Sequence, residues 1–417
     1  MGIPAFALAT AVGAFLACGS DDGAPGSGAG PDAASGSDSP APSAPGADGS
    51  LPPGDDGGDD DAAVSSGQTF LYLAARTPQP VIFGFSVDAV TGALSAVDAD
   101  PAAPGVQPAT SAPDYPIALA AHPSGKYLYS ASFAARSVSA YAVDAKTGAL
   151  TRIAADARDG GVTDFALPDN QPVYVVADPK GRCIYVADQQ GGSNGHFLAF
   201  AVDPATGALS LAREVLTAPV AQFIAVDGDA RFAVVGIAGS QLAVHRLDDA
   251  SGLPIGPDGG AGDGVLYGTP GQSGPVSLDA KGRTLYAPSV FDSSILTFRV
   301  DPSTYALSPL TKPTTTSSPV LALVHPTAPF VLVTGNKRTE IYTVEDGGTL
   351  TLAAPDAGPV VPVGITAATF DPTGKHLYTS QGSSIGVYGV AGTTLTAQGT
   401  TALGAGNTSR NFALIRR

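Results

Sequence analysis

The chain has 417 residues, enough for one large all-β domain or for two or three domains of average size. Its 52 Gly and 36 Pro argue against a helical protein, and its formal net charge of −16 disfavours nucleic-acid binding, because an acidic surface repels a phosphate backbone. The sequence contains no Trp, which weakens the case for a carbohydrate-stacking platform, although its 13 Tyr leave that role open.

The first 18 residues are typical of an export signal. Residues 1–17, MGIPAFALATAVGAFLA, are apolar, end in small residues and are short for a membrane span. The tetrapeptide FLAC at 15–18 resembles a bacterial lipoprotein cleavage site, in which Cys18 becomes the lipid-bearing N-terminus. The alternative is an ordinary secretory signal with Cys18 incidental, and both alternatives predict export. We therefore expect a protein of the cell envelope, periplasmic or surface-exposed, anchored by lipid at Cys18.

Residues 19–67 predict a disordered linker. They are mostly Gly, Ser, Ala, Pro and Asp, with no aromatic residue, so they cannot bury enough apolar area to offset the entropy of ordering the chain. The Asp-rich run at 55–61 should keep this linker extended. The second cysteine, Cys183, has no partner once Cys18 is removed or lipidated. We therefore expect a small buried hydrophobe there, and no disulfide.

Two short patterns recur after the linker. The first, V-D-x-x-T-G-A-L, is complete at 87–94, 143–150 and 202–209 and recurs in weaker form further along the chain. The second, with forms such as HPSGKYLY at 122–129 and DPKGRCIY at 178–185, precedes it in each repeat. Both patterns combine residues of tight turns: Asp caps backbone N–H groups, Pro fixes φ and Gly accepts a positive φ. We interpret them as the C–D and A–B turns of a four-stranded unit.

The spacing of these patterns predicts a β-propeller. Successive copies of the second pattern lie 46 to 57 residues apart, and seven copies occur. The first copy begins at strand B, whereas the last segment, SRNFALIRR at 409–417, has the pattern of an unpaired strand A. We predict an all-β, seven-bladed β-propeller of four-stranded antiparallel blades over residues 68–417. Its ring is closed by pairing of the C-terminal strand with the N-terminal strands.

The two faces of such a disk should differ. The A–B and C–D turns share one face and are stereotyped, whereas the B–C and D–A connections share the other face and vary. Long D–A connections are predicted at 97–115, 155–171 and 254–273, and a B–C insertion at 189–196. Because a rigid scaffold carries its function on variable loops, we place the site on the B–C/D–A face, around the mouth of the central channel.

The repeats resemble those of the lactonase family of seven-bladed propellers, which includes the propeller-type 6-phosphogluconolactonases and the 3-carboxy-cis,cis-muconate lactonising enzymes. The resemblance covers residues 68–417 and implies activity on lactones. It also implies a site built from His in a P-H-x-H strand A, an Arg-His pair after G-P, and a Glu after a strand B. Here these contexts read PVYV at 172–175, GPVS at 274–277 and Val290, so none of the three groups is recognisable.

Each of the five His residues is a candidate base. His122 and His325 occupy turn positions that are Asp in other blades, and His245 and His376 lie in predicted strands. We expect structural roles for these four. His196 lies beside the B–C insertion, on the favoured face.

A set of hydrogen-bonding side chains is expected around the channel mouth: Gln171, Tyr174, His196, Arg410 and Asn411. Acids on that face offer alternative bases: Asp114, Asp169 and Asp292. The same strand assignment places the three Glu of the sequence away from it: Glu214, Glu340 and Glu345. The Asp/Gly loop at 257–264 lacks the ordered ligand spacing of a calcium site, and no zinc, phosphate-loop or G-x-S-x-G pattern occurs. We therefore expect no metal and no cofactor.

These observations favour binding over catalysis. We expect an exported, lipid-anchored lactonase-like propeller that binds a small polar ligand or a protein and lacks the family's catalytic residues. The alternative is a lactone hydrolase, a carboxylic ester hydrolase with a rebuilt active site. A structural surface protein is a third hypothesis. We expect no nucleic-acid partner, membrane contact through the lipid alone, and a monomer.

Overall fold

A computed structural model describes residues 67–417 apart from 76–79, 98–107, 113–115, 155–163, 168–169, 190–194, 218–219, 257–263, 270–273, 290, 316–317, 336–337, 354–364, 366 and 404–408. The predicted signal segment and Cys18 lie outside the described residues, as does nearly all of the predicted linker. The described ranges contain no helix long and apolar enough to cross a bilayer.

The strands form seven antiparallel sheets, each with an order of four strands and three of them with one further short strand, which confirms the predicted seven-bladed propeller. Strands A to D of the first blade are β31 (Ser409–Arg416), β1 (Thr69–Ala75), β2 (Val81–Val87) and β3 (Leu94–Ala96), and β4 (Pro108–Ser111) also pairs with β2. Those of the second are β5 (Pro116–Ala121), β6 (Tyr127–Ser132), β7 (Ser137–Val143) and β8 (Leu150–Ile153), and β9 (Asp164–Ala166) also pairs with β7. Those of the third are β10 (Pro172–Ala177), β11 (Cys183–Asp188), β12 (Gly195–Val202) and β13 (Leu209–Thr217).

The remaining four blades repeat this order. The fourth contains β14 (Ala221–Val226), β15 (Phe232–Ile237), β16 (Gln241–Leu247) and β17 (Pro254–Ile255), with β18 (Val265–Gly268) also paired with β16. The fifth contains β19 (Ser277–Leu278), β20 (Thr284–Ser289), β21 (Ser294–Val300) and β22 (Leu307–Pro309). The sixth contains β23 (Pro319–Val324), β24 (Phe330–Gly335), β25 (Thr339–Val344) and β26 (Leu350–Leu352). The seventh contains β27 (Ala368–Phe370), β28 (His376–Ser380), β29 (Ser384–Ala391) and β30 (Thr394–Ala402).

The long D–A connections differ from the prediction. Strands β4, β9 and β18 fall inside the stretches predicted as D–A connections, and each pairs with the same strand C as the strand D before it. In these three blades strand D is therefore made in two pieces. The edge of strand C offers unpaired N–H and C=O groups along its whole length, so a chain returning beside it gains hydrogen bonds by resuming the pairing.

The core consists of apolar clusters between neighbouring blades. Strands B and C are buried along almost their whole length, as in β11 and β12, because both faces of a blade contact another blade. Alternate residues of one strand enter different clusters: Ile184 and Val186 pack towards blade 2, whereas Cys183 and Tyr185 pack towards blade 4. Cys183 is a free, fully buried thiol, as predicted.

The two repeated sequence patterns meet across the blade interfaces. In four blades the strand B tyrosine donates its hydroxyl proton to the carbonyl of the C–D turn glycine in the next blade: Tyr72 to Gly148 at 2.6 Å, Tyr129 to Gly207 at 3.1 Å, Tyr185 to Gly252 at 2.6 Å, and Tyr378 to Gly92 at 3.1 Å. We call this contact the Tyr–Gly clasp. A Cβ at Gly148, where φ is +74°, would lie 2.4 Å from the Phe70 ring. The turn pattern therefore recurs along the chain because its glycine contacts the neighbouring blade.

The fifth C–D turn departs from this rule. Tyr305 occupies the glycine position of the fifth C–D turn and adopts the same left-handed conformation, with φ of 62°. Its ring stacks on Phe232 of blade 4, with 4.9 Å between centroids and 22° between planes. The strain of a non-glycine residue there is offset by aromatic packing across the interface.

The turn histidines have the structural roles predicted for them. The His122 ring lies 2.8 Å from Ser124 Oγ within its own turn and 2.9 Å from the Gly181 carbonyl of the next blade. His325 makes the equivalent interblade contact with the Gly374 carbonyl at 2.8 Å. His245 is buried against Phe197, with 5.0 Å between ring centroids.

Candidate functional site

The residues predicted at the channel mouth occupy several different strands. Gln171 precedes β10, and its carbonyl accepts a hydrogen bond from the Gln189 N–H at 2.9 Å. Tyr174 lies in β10, His196 in β12 and Asn411 in β31. Arg410 also falls within β31, but its side chain lies outside the described set, as does Cys18.

The structure places three of these side chains in three different blade interfaces. Tyr174 packs edge-to-face on Phe223 of blade 4, with 6.0 Å between ring centroids. The Asn411 side-chain oxygen accepts a hydrogen bond from the Leu119 N–H at 3.2 Å, between blades 1 and 2. His196 shares the strand face of Leu198, which packs towards blade 2. They do not form one cluster.

His196 is held by a buried carboxylate. Asp188 is the last residue of β11 and is fully buried, and its Oδ1 lies 3.1 Å from His196 Nδ1. The same oxygen accepts the backbone N–H of His196, at the start of β12. The carboxylate thus contacts both the ring and the main chain of one residue, which fixes the ring orientation.

A second carboxylate lies on the other side of the ring. Glu214 Oε1 is 3.4 Å from His196 Nε2, and its side chain is 46% exposed. The prediction that Glu214 lies away from the B–C/D–A face is wrong. Strand β13 is longer than expected and continues to Thr217, which pairs with Gly195 at the start of β12. This extension brings Glu214 to the B–C edge of the blade.

The prediction that Glu340 lies away from the B–C/D–A face is also wrong. It is the second residue of β25 and so lies just after a B–C connection, where it is buried. Its Oε2 accepts the hydroxyl proton of Tyr342 at 3.0 Å. Glu345 lies in the sixth C–D turn, as predicted.

The electrostatics of the site are set by burial. Loss of water around Asp188 raises the pKa of its carboxyl from 3.8 to about 6, while His196 and its backbone N–H oppose that rise. Glu214 raises the Asp188 pKa further because it adds negative charge nearby. The Asp188 carboxyl therefore changes charge in a range where most surface carboxyls stay ionised.

The Asp188–His196 pair is specific to the third blade. The equivalent cross-strand pair is Ser132–Ser137 in the second blade and Ser289–Ser294 in the fifth. Sequence reasoning missed Asp188, although a signal was present: strand B ends in AD in the third blade, where the second and fifth end in AS and PS. Departures from a repeated pattern are a guide to function when the pattern itself is structural.

This arrangement suits proton transfer better than metal binding. A carboxylate on Nδ1 favours the tautomer in which Nδ1 carries the proton, so that Nε2 can accept a proton when the Glu214 carboxylate does not occupy it. The two carboxylates contact opposite ring nitrogens and so do not converge on one point. In the part of the chain that the structure describes, no group of three or more His, Cys, Asp or Glu side chains is placed to hold a metal ion.

The other acids considered as bases contribute less. Asp292 is ion-paired with Lys312, with 2.7 Å between Oδ2 and Nζ. Asp114 and Asp169 lie outside the described residues. The predicted loop at 257–264 also lies outside them, except for Gly264.

Comparison with known proteins supports the predicted family resemblance. Residues 50–167 match the family model described as Lactonase, 7-bladed beta-propeller. The match covers less than a third of the chain and supports the predicted resemblance, and the strands establish the seven-bladed propeller fold. No protein of curated function shows significant similarity to the sequence.

Solved structures of similar proteins share the whole fold. A "putative 6-phosphogluconolactonase" from Bacteroides fragilis is 14% identical, covers 85% of this chain and 100% of its own, and superposes with a TM-score of 0.66. The periplasmic gluconolactonase PpgL of Pseudomonas aeruginosa is 14% identical, covers 84% of this chain and 99% of its own, and has a TM-score of 0.65. At these identities the similarity establishes the fold.

Proposed function

We propose that the protein hydrolyses a lactone, with His196 as the general base. The observation that carries this proposal is the buried carboxylate of Asp188 on His196 Nδ1, which leaves Nε2 as the proton acceptor. The likeness to lactonase-family propellers supports a lactone as the substrate class. The groups that the resemblance implies are not recognisable in the sequence, so this site is a rebuilt one.

The chemistry needs one proton carrier in both halves of the reaction. Water attacks the lactone carbonyl carbon and gives a proton to His196 Nε2. The carbonyl carbon becomes tetrahedral, and its oxygen becomes an oxyanion. The ring C–O bond then breaks, and the leaving alkoxide takes the proton back from the imidazolium. The product is a hydroxy acid. Asp188 stabilises the imidazolium between the two steps.

Glu214 controls access to the ring. His196 is only 7% exposed, whereas the Glu214 side chain in front of Nε2 is 46% exposed. Rotation of Glu214 admits water to Nε2, and its carboxylate can then accept a hydrogen bond from a substrate hydroxyl. Lactones of polyhydroxy acids carry such hydroxyls next to the ring ester, so we expect them to be preferred.

The test is hydrolysis of a lactone panel by the purified protein and by the His196→Ala variant. We expect turnover above the buffer rate for at least one polyhydroxy lactone, and a fall of about 100-fold or more in the variant. A matched control is Gln241→Ala, at the equivalent strand C position of the fourth blade. Turnover that His196→Ala leaves unchanged, or no turnover of any lactone, would overturn the proposal.

A binding module without catalysis is the second candidate, and one observation favours it. The His196 ring is enclosed between two carboxylates, so a polar ligand can bond to Glu214 without reaching Nε2. Saturable binding of a polyhydroxy lactone without turnover, weakened by Glu214→Gln, would select this function over hydrolysis.

We also propose that the protein is exported and lipid-anchored. The apolar segment 1–17, the FLAC sequence at 15–18 and the Asp-rich linker support this. Likeness to a periplasmic gluconolactonase adds support for export. The anchor would hold the protein at a membrane.

A further inference from the structure

The sixth blade has a shorter C–D turn than the blades with the complete pattern. Five residues, 345–349, stand between Val344 and Leu350, whereas six residues, 203–208, stand between the equivalent Val202 and Leu209. The shorter turn closes with a hydrogen bond from the Gly348 N–H to the Glu345 carbonyl at 3.0 Å. This turn faces blade 5, where it should complete the interface.

The shorter turn leaves the Tyr–Gly clasp unmade. Tyr286 holds the clasp position of strand B in blade 5 and is fully buried. The Thr284 side chain acts on its hydroxyl as a hydrogen-bonding neighbour, but the hydroxyl reaches no carbonyl of the sixth C–D turn among the described residues. In the clasped blades the equivalent hydroxyl reaches a glycine carbonyl at 2.6 to 3.1 Å. The buried Tyr286 hydroxyl therefore lacks the main-chain acceptor that its counterparts have.

An arginine contact is lost at the same interface. Arg182 and Arg231, in the A–B turns of blades 3 and 4, fold back on Asp178 and Asp227 with N–O distances of 2.6 and 2.7 Å. Arg182 also donates to the Asp248 and Asp249 carbonyls of the next C–D turn. Arg283 stands in the same D-x-K-G-R sequence as Arg182, but its exposed side chain forms no ion pair among the described residues.

These losses leave a cleft of about 490 Å³ between blades 5 and 6. Arg283 and Arg299 supply its positive charge, and Arg299 donates to the Gly347 carbonyl at 3.3 Å. Its negative charge comes from three carboxylates: Asp279, Glu345 and Asp346. The rest of the wall is apolar and is formed by Val300, Pro302, Pro329 and Val344. The cleft opens on the turn face, opposite the His196 site.

We propose that this cleft binds a small zwitterion, a free amino acid or a short peptide with both termini free. A planar guanidinium such as that of Arg283 pairs with a carboxylate through two parallel hydrogen bonds. A simple anion would be repelled by Glu345 and Asp346, whereas an ammonium group on the same ligand pairs with them. The proposal does not depend on the function of the His196 site.

Calorimetric titration of the purified protein with four dipeptides of small and apolar residues tests this proposal. Each dipeptide is used with free termini, N-acetylated and C-amidated. We expect saturable binding of at least one free dipeptide, and at least tenfold weaker binding of both blocked forms. Arg283→Ala should weaken binding at least tenfold, since a charge-assisted hydrogen bond is lost. Lys180→Ala, an exposed turn-face cation of blade 3, is the control and should have no effect.

A second variant tests the origin of the cleft. Replacing residues 345–349 with the six residues 203–208 should restore the full turn, give the Tyr286 hydroxyl its acceptor and fill the cleft. We expect a higher melting temperature together with loss of dipeptide binding. Equal binding of the acetylated form would instead show a simple carboxylate site and overturn the zwitterion assignment. Absence of saturable binding in the wild-type protein would overturn the site itself, as would undiminished binding by the restored-turn variant.

Discussion

Tyr72 in the first described strand pairs with Ala413 in the last, so the two ends of the propeller lie in one sheet. The pairing of β1 with β31 runs from Thr69 and Arg416 to Ala75 and Ser409. It joins the ends of the ring through a row of backbone hydrogen bonds and through apolar side chains. Closure of this kind removes an exposed strand edge.

Deletion of residues 409–417 should therefore destabilise the whole domain. The deletion exposes the edge of β1 and removes Phe412 and Ile415, both of which are buried. We expect the free energy of unfolding to fall by at least about 3 kcal/mol, given about 1.5–3 kcal/mol per large buried side chain. Denaturant unfolding measures this change. Deleting nine linker residues, 23–31, is the matched control. An unchanged midpoint after the C-terminal deletion would contradict the role assigned to closure.

The Tyr–Gly clasp predicts a contrast between two similar substitutions. Tyr185→Phe removes the hydrogen bond to the Gly252 carbonyl and leaves that buried acceptor without its donor. We expect a loss of about 1–3 kcal/mol in stability. Tyr286→Phe removes a buried hydroxyl that reaches no turn carbonyl among the described residues, so it should cost less stability than Tyr185→Phe. Thermal melting of both variants measures the difference, and equal losses would show that the clasp contributes nothing specific.

Burial of Asp188 predicts a pH dependence of stability. Its folded pKa of about 6 lies above its ordinary value of 3.8, so between these values the folded protein binds more protons than the unfolded chain. The contribution of Asp188 to the stability of the folded protein is then fully present below pH 3.8, and it is lost as the pH rises through about 6. The stability of the wild type relative to Asp188→Asn should accordingly fall between pH 4 and pH 7. Exposed Asp249→Asn is the control, and a difference that rises with pH would contradict the assignment.

Cys18 is predicted to carry lipid in the mature protein. The FLAC sequence and the linker behind it motivate this prediction. Mass spectrometry of the N-terminal peptide from the native host should find Cys18 as the first residue, with a lipid modification. Cys18→Ala should release the protein from membranes. Cleavage at another bond that leaves Cys18 unmodified would rule out the anchor and leave export intact.

The fold could be predicted from sequence because its signals are local and repeated. Each V-D-x-x-T-G-A-L turn is encoded by a few adjacent residues, and the orphan strand at 409–417 indicated how the ring closes. The split outer strands could not be predicted in this way. The sequence predicts a D–A connection at 155–171, which contains β9. The three residues of β9 form a strand only because they pair with β7.

The candidate site was only partly predictable for the same reason. His196 was singled out by its position beside the B–C insertion, but its partners depend on contacts between strands. Asp188 and Glu214 approach it through the pairing of β11, β12 and β13. The local sequence does not predict the length of β13, and the length of this strand determines whether Glu214 lies beside His196. The sequence also does not indicate in which blade interface each of the five predicted mouth residues packs.

The rate of lactone hydrolysis by Asp188→Asn tests the central claim most directly. An Asn amide can donate to His196 Nδ1 and so favours the tautomer in which Nε2 carries the proton and cannot accept another. The variant should keep its fold and KM but lose about 100-fold or more in kcat, and nitrogen NMR should show the change of tautomer. The wild-type rate should also fall as the pH drops below about 6, where Asp188 takes up a proton. A variant that retains the wild-type kcat despite the changed tautomer would contradict the proposal that His196 acts as the base.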